Sequence, residues 1–177
     1  MEADWEFEVG GDAPMIDAYW SGFVDLRSHP KRISELSESR ELPGLADTLS
    51  KLNAAESPVW TSKTDVFTPE RVDPDEMGAS REEAVFAVAC YIDLLLRKDQ
   101  WTDPSKAERK CRQICARLRG IDLRRCRVDI VVRRTLAADP NDLGATAYVT
   151  ACGPSLVNAK ARLAECLDAF TEVIVTR

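Results

Sequence analysis

Three aspartates sit in nearly the same phrase along this chain. Phe23-Val24-Asp25-Leu26, Tyr91-Ile92-Asp93-Leu94 and Arg127-Val128-Asp129-Ile130 each place one Asp between two aliphatic residues. In an extended strand successive side chains turn to opposite faces, so the aliphatic pair shares one face and the Asp occupies the other. Each Asp also has an arginine two or four residues away on its own face: Arg27 for Asp25, Arg97 for Asp93, and Arg127 and Arg133 for Asp129. If the three strands are neighbours, carboxylates and guanidiniums line one side of a sheet. Clustered carboxylates hold Mg²⁺ or Mn²⁺ and support phosphodiester hydrolysis. Same-face arginines compete with such a metal, and cross-strand Asp–Arg pairs on a solvated face are the commoner arrangement. A third reading makes the same face a docking surface, since paired charges and aromatics such as Phe23 and Tyr91 suit a protein partner or a second copy of the chain.

A second candidate chemistry is nucleophilic. Thr150-Ala151-Cys152-Gly153-Pro154-Ser155 reads as the end of a strand and the start of a helix. A thiol at a helix N-terminus feels the positive end of the dipole, which lowers its pKa. The base for such a nucleophile would be His29, the one histidine in the chain. A small Cys packed beneath a helix is the more frequent arrangement.

Cys111 and Cys115 are four residues apart and share a helical stripe with Ile114 and Leu118, which is core packing rather than metal-ligand spacing. Cys90, Cys126 and Cys166 also fall on apolar faces, so no metal site is expected. Trp5, Tyr19, Trp20 and Trp60 could line a ligand pocket, though such residues more often form a core or an interface. No GxxxxGK[ST], GxGxxG, HExxH, GxSxG or EF-hand loop is present, and no cofactor is implied.

These side chains need elements to position them. Period-2 alternation predicts strands at Trp5–Val9, Tyr19–Arg27, Val59–Phe67, Cys126–Arg133 and Ala145–Cys152. Residues 84–97 carry both a capping-box-like Ser80-x-x-Glu83 and unbroken alternation from Phe86 to Leu96, and read as a central strand. Apolar spacing of three and four predicts a helix over about 43–55, a short one after Pro30, one opened by Asp103-Pro104, and one near the C-terminus. The order suggests an α+β fold. One mixed or largely antiparallel sheet of about five or six strands would carry helices packed on one face, with a possible split βαβ core.

The whole of 1–177 reads as a single domain. Thr68–Ser80, with two prolines, a glycine and four acids, reads as a mobile loop. The chain is 45% hydrophobic and 31% charged, which excludes disorder for most of its length. The longest apolar run, 84–92, is far short of the roughly 20 residues a membrane helix needs. An acidic start without an apolar core is unlike a signal peptide, so a cytoplasmic location with free thiols is expected. Seventeen of the 24 basic residues are arginine, a usage common in high-GC bacteria.

The formal net charge of −6 is unevenly spread. Residues 1–96 sum to −12, residues 97–134 to +8 and the remainder to −2. The basic stretch could bind polyanions, but it could equally lie beside the acidic part and be neutralised by it, and nucleic acid is not the expected partner. The reading that follows is a non-enzymatic interaction protein of adaptor, chaperone-like or immunity type. Its binding residues would be Asp25, Arg27, Asp93, Arg97, Asp129 and Arg133, its partner another protein or a second copy. The alternative is a hydrolase using a carboxylate-bound metal or Cys152.

Overall fold

The longest strands of the protein are those whose alternation is least interrupted. In the computed structural model, which describes residues 1–97, 103–136 and 143–176, three such strands of eleven residues form the middle of a sheet: β4 (Phe86–Leu96), β5 (Cys126–Leu136) and β6 (Leu143–Gly153). The edge strands are β1 (Glu2–Glu8) and β3 (Val59–Phe67). A two-residue strand, β2 (Ile16–Asp17), continues the β1 edge along β5. The order is β1-β5-β6-β4-β3, with β1 and β2 parallel to β5 and every other pairing antiparallel. This is the α+β fold with one mixed sheet that the sequence predicts.

Residues 84–97 resolve as a strand for a physical reason. Val88, Cys90, Ile92 and Leu94 face one core, while Ala87, Ala89 and Asp93 are also buried on the other side. A helix would spread these side chains around its circumference, whereas a central strand buries both faces.

Helix α2 (Leu45–Asn53), helix α3 (Pro104–Arg119) and helix α4 (Leu156–Val175) pack on one face of the sheet; a short helix, α1 (Ser37–Glu41), follows the 3-10 turn Pro30–Glu35. Asp103 caps α3 by accepting the Ser105 N–H, with Pro104 in the first turn, and Ser155 caps α4 by accepting the Asn158 N–H. Along α4, Leu163, Cys166, Leu167 and Phe170 are fully buried. Each such Leu or Phe stabilises the fold by roughly 1.5–3 kcal/mol. Strands β4 and β5 run parallel, are connected through α3 and hold β6 antiparallel between them, which is a split βαβ unit.

One predicted strand is not a strand. Residues 18–29 form turns. The Asp25 carboxylate accepts the backbone N–H of Arg27 at 3.1 Å and its guanidinium at 2.8 and 3.0 Å, while the Asp25 carbonyl accepts the His29 N–H. This local side-chain bonding offers the backbone a turn in place of a sheet ladder. The 68–80 stretch holds a 3-10 turn, Asp75–Met77, and Met77 is buried against Ala87 and Cys152.

Candidate functional site

The face of the sheet opposite the helices is built by the other half of each strand's alternation. The register brings its residues into rows. In the central row Asp4 of β1 lies beside Asp129 of β5, then Tyr148 of β6, Tyr91 of β4 and Asp65 of β3. One row over stand Glu6, Val131, Thr146 and Asp93. On the other side stand Glu2, Arg127, Thr150, Ala89 and Phe67. A register shift between Thr61 and Thr64 on β3 lets Trp60 and Asp65, which differ in parity, both turn to this face.

Both ends of the face are covered. At one end Ile16, Ala18 and Phe23 pack on Trp60 and Leu95. At the other end Met77, Val72, Ala79 and Ala84 pack on Ala87 and Cys152. The middle stays open, with Tyr91 and Tyr148 half-buried and their ring centroids 6.0 Å apart. Beside them, between β1 and β5, a hollow of about 160 Å³ is lined by Asp4, Glu6, Arg127 and Asp129.

Most charges on the face are held by partners. The Arg127 Nε donates to both Asp129 oxygens at 2.8 Å. Arg133 donates to Glu8 at 2.7 Å, to the Thr146 hydroxyl at 3.2 Å and to the Tyr148 hydroxyl at 3.3 Å. It thereby ties β1 to β6 across β5. Thr146 in turn donates to the Asp93 carboxylate at 2.7 Å. Burial pushes the Asp93 pKa above its ordinary value, against the pull of the Thr146 hydrogen bond and of Arg133 and Lys63. Lys63 lies 5.8 Å from the Tyr91 ring. Glu6 and Asp65 are exposed and take no ion pair among the described residues.

Of the six residues the sequence offers as a binding face, three come together here: Asp93, Asp129 and Arg133. Asp25 and Arg27 do not belong to the strand face. They form a local pair whose guanidinium lies 3.8 Å over the Trp60 ring, in the segment that covers one end. Arg27 holds the Asp25 carboxyl down at about 2. Arg97 has a different task from pairing with Asp93. Its guanidinium donates to the carbonyls of Val59 at 3.1 Å and Asn53 at 2.6 Å, clamping the end of α2 to β3. Tyr148, Thr146, Glu6 and Glu8 complete the face. Their signal was the Thr146/Tyr148/Thr150 alternation against Ala145/Ala147/Val149, together with Glu6 and Glu8 on β1.

The nucleophile reading meets the opposite of what it needs. Cys152 is fully buried, and burial raises its thiol pKa. The strand-to-helix turn is there, but the thiol points into the cluster around Met77 rather than toward the α4 N-terminus. His29 is exposed, beside the segment that covers the Trp60–Leu95 end. Cys152 lies at the Ala87 end, and these ends are roughly 26 Å apart along β4. Cys90, Cys111, Cys115, Cys126 and Cys166 are likewise buried and free. Among the described residues no group of three or more His, Cys, Asp or Glu side chains is arranged to hold a metal ion.

The aromatic set divides. Tyr19, Phe23 and Trp60 cluster with centroids 5.4–5.9 Å apart in edge-on and tilted contacts, and Trp5 pairs edge-on with Phe7 on β1. The charge asymmetry closes on itself, because acidic β1 lies against the basic stretch. Arg119 donates to the Ala3 carbonyl and sits 3.6 Å from Asp4, Arg127 reaches Glu76 at 3.7 Å, and Arg133 holds Glu8. Among the described residues no helix is long and apolar enough to cross a membrane. No protein-family model, curated protein or solved structure matches the chain.

Proposed function

We propose that the protein is a non-enzymatic interaction protein, of adaptor, chaperone-like or immunity type, which binds another protein through the open middle of the sheet. The observation that carries this reading is the pair of half-buried tyrosines at the centre of a five-strand face, ringed by charges and walled at both ends. Tyrosines with a fixed polar surround are what protein interfaces favour. The charged groups are oriented by one another, so a partner meets a preorganised surface and little ordering entropy is lost on docking.

A photo-crosslinking amino acid placed at Asp65, on the face, tests this in the native host. It is expected to give a discrete adduct that excess wild-type protein competes away and the Glu6→Lys/Asp65→Lys variant does not. The same group at Asp47, on α2, is expected to give none. Adducts from Asp47 alone, or equal competition by both proteins, would overturn the proposal.

A further inference from the structure

We infer that the partner presents a cationic, arginine-bearing polypeptide segment to this face; the inference rests on the protein-binding reading above. The argument is one of charge complementarity. Glu2, Asp4, Glu6 and Glu8 all turn to the open side of β1, and Asp65, Asp93 and Asp129 add to them from β3, β4 and β5. Lys63, Arg127 and Arg133, with Arg119 3.6 Å from Asp4, do not balance that set of seven. Arg127 and Arg133 are already committed to Asp129 and Glu8. Among the described residues Glu6 and Asp65 are exposed anions without an ion pair, and they stand at opposite edges with the tyrosines between them. Glu6 borders the hollow between β1 and β5.

The molecule's own arginines show what this chemistry holds. Arg133 donates to a carboxylate from Nε and Nη2, to a tyrosine hydroxyl from Nη1, and lies 5.9 Å over the Tyr148 ring. Arg27 repeats the arrangement with Asp25 and the Trp60 ring. A planar guanidinium satisfies carboxylate and aromatic ring together, which a lysine ammonium does less well. An acidic or polyanionic partner would meet repulsion along the whole of β1. A second copy is a weaker occupant. The basic helix α3 that it would offer lies on a different surface from the open face, so the contact would be head-to-tail and give a ring or an open filament rather than a two-fold dimer.

The test uses the full chain and a fluorescein-labelled nona-arginine peptide, read by anisotropy at two salt concentrations. Saturable, salt-sensitive binding is expected. Glu6→Lys/Asp65→Lys is expected to weaken it by about tenfold or more, while Asp47→Lys/Glu56→Lys, with the same net charge, leaves it within about twofold. Nona-lysine is expected to bind more weakly than nona-arginine. Neither variant breaks an ion pair among the described residues, and thermal melts read by circular dichroism confirm that both are folded. Equal weakening by the two variants would show an effect of net charge alone and overturn the inference, as would no binding. If light scattering instead finds a wild-type oligomer that Glu6→Lys/Asp65→Lys dissolves, the occupant is a second copy. The cationic-partner inference then fails while the protein-binding reading survives.

Discussion

The two faces of this sheet come from the same strands and are held together by different physics. On the helix side, β4 presents Val88, Cys90, Ile92 and Leu94, and β5 presents Cys126, Val128, Ile130 and Val132, nearly all fully buried under α3 and α4. On the other side the same strands present Ala89, Tyr91 and Asp93, and Arg127, Asp129 and Arg133. There the contacts are directed hydrogen bonds with partial exposure. Apolar burial is non-directional and supplies most of the stability. Hydrogen-bonded charges contribute less net free energy but fix side chains in place, which is the property a recognition surface needs. The difference teaches that stability and recognition are divided between the faces, so substitutions should separate them.

The largest expected effect lies on the covered face. Phe170→Ala empties a fully buried position on α4 and is expected to lower unfolding free energy by about 3–5 kcal/mol, measured by urea denaturation. Partner binding by the fraction that remains folded should be unchanged. Next comes Arg133→Ala, which removes the tie between β1 and β6. A loss of about 1–2 kcal/mol is expected, with Glu8 left without its cation and Asp93 with the pull of Lys63 alone.

Two aspartates sharpen the comparison by responding to pH with opposite sign. Asp25 titrates lower in the fold than in the unfolded chain. Its contribution is present above about pH 4 and lost as the pH falls toward about 2. Asp25→Asn should reduce that acid-side loss. Asp93 is raised by burial, so its folded form holds the proton more tightly and stability falls as pH rises through its shifted value. Asp93→Asn should therefore gain on the wild type with rising pH, and the gain should vanish below the ordinary aspartate range. Urea midpoints measured from pH 2.5 to 7 check both. The smallest effect is on the open row. Asp129→Asn loosens a partly exposed pair and should cost about 1 kcal/mol or less in stability, yet weaken partner binding measurably.

Much of this division is legible in the sequence. Alternation in Val59–Phe67, Phe86–Leu96, Cys126–Arg133 and Ala145–Cys152 marks the strands and both of their faces, and the Asp129–Arg127 spacing gives a pair that forms. The Asp25 phrase has the same alternation and is no strand. Its carboxylate reaches the Arg27 backbone N–H, a contact that depends on the turn and not on periodicity. Arg97 shares Asp93's parity but stands just beyond the end of β4, where its guanidinium reaches the carbonyls of Asn53 and Val59. Cys152 follows the pattern of an exposed elbow, and only the distant chain around Met77 buries it. Which strands lie side by side is also beyond alternation, so the joining of Glu8 to Arg133 and of Tyr91 to Tyr148 required the register.

The most direct test of the central claim is an ¹⁵N-edited NMR titration of the full chain with the partner segment recovered by crosslinking. The account predicts that shift changes centre on Tyr91, Tyr148, Asp129 and Glu6, with α2 and α4 unmoved. Changes centred on α2 or α4, with the open face silent, would contradict it.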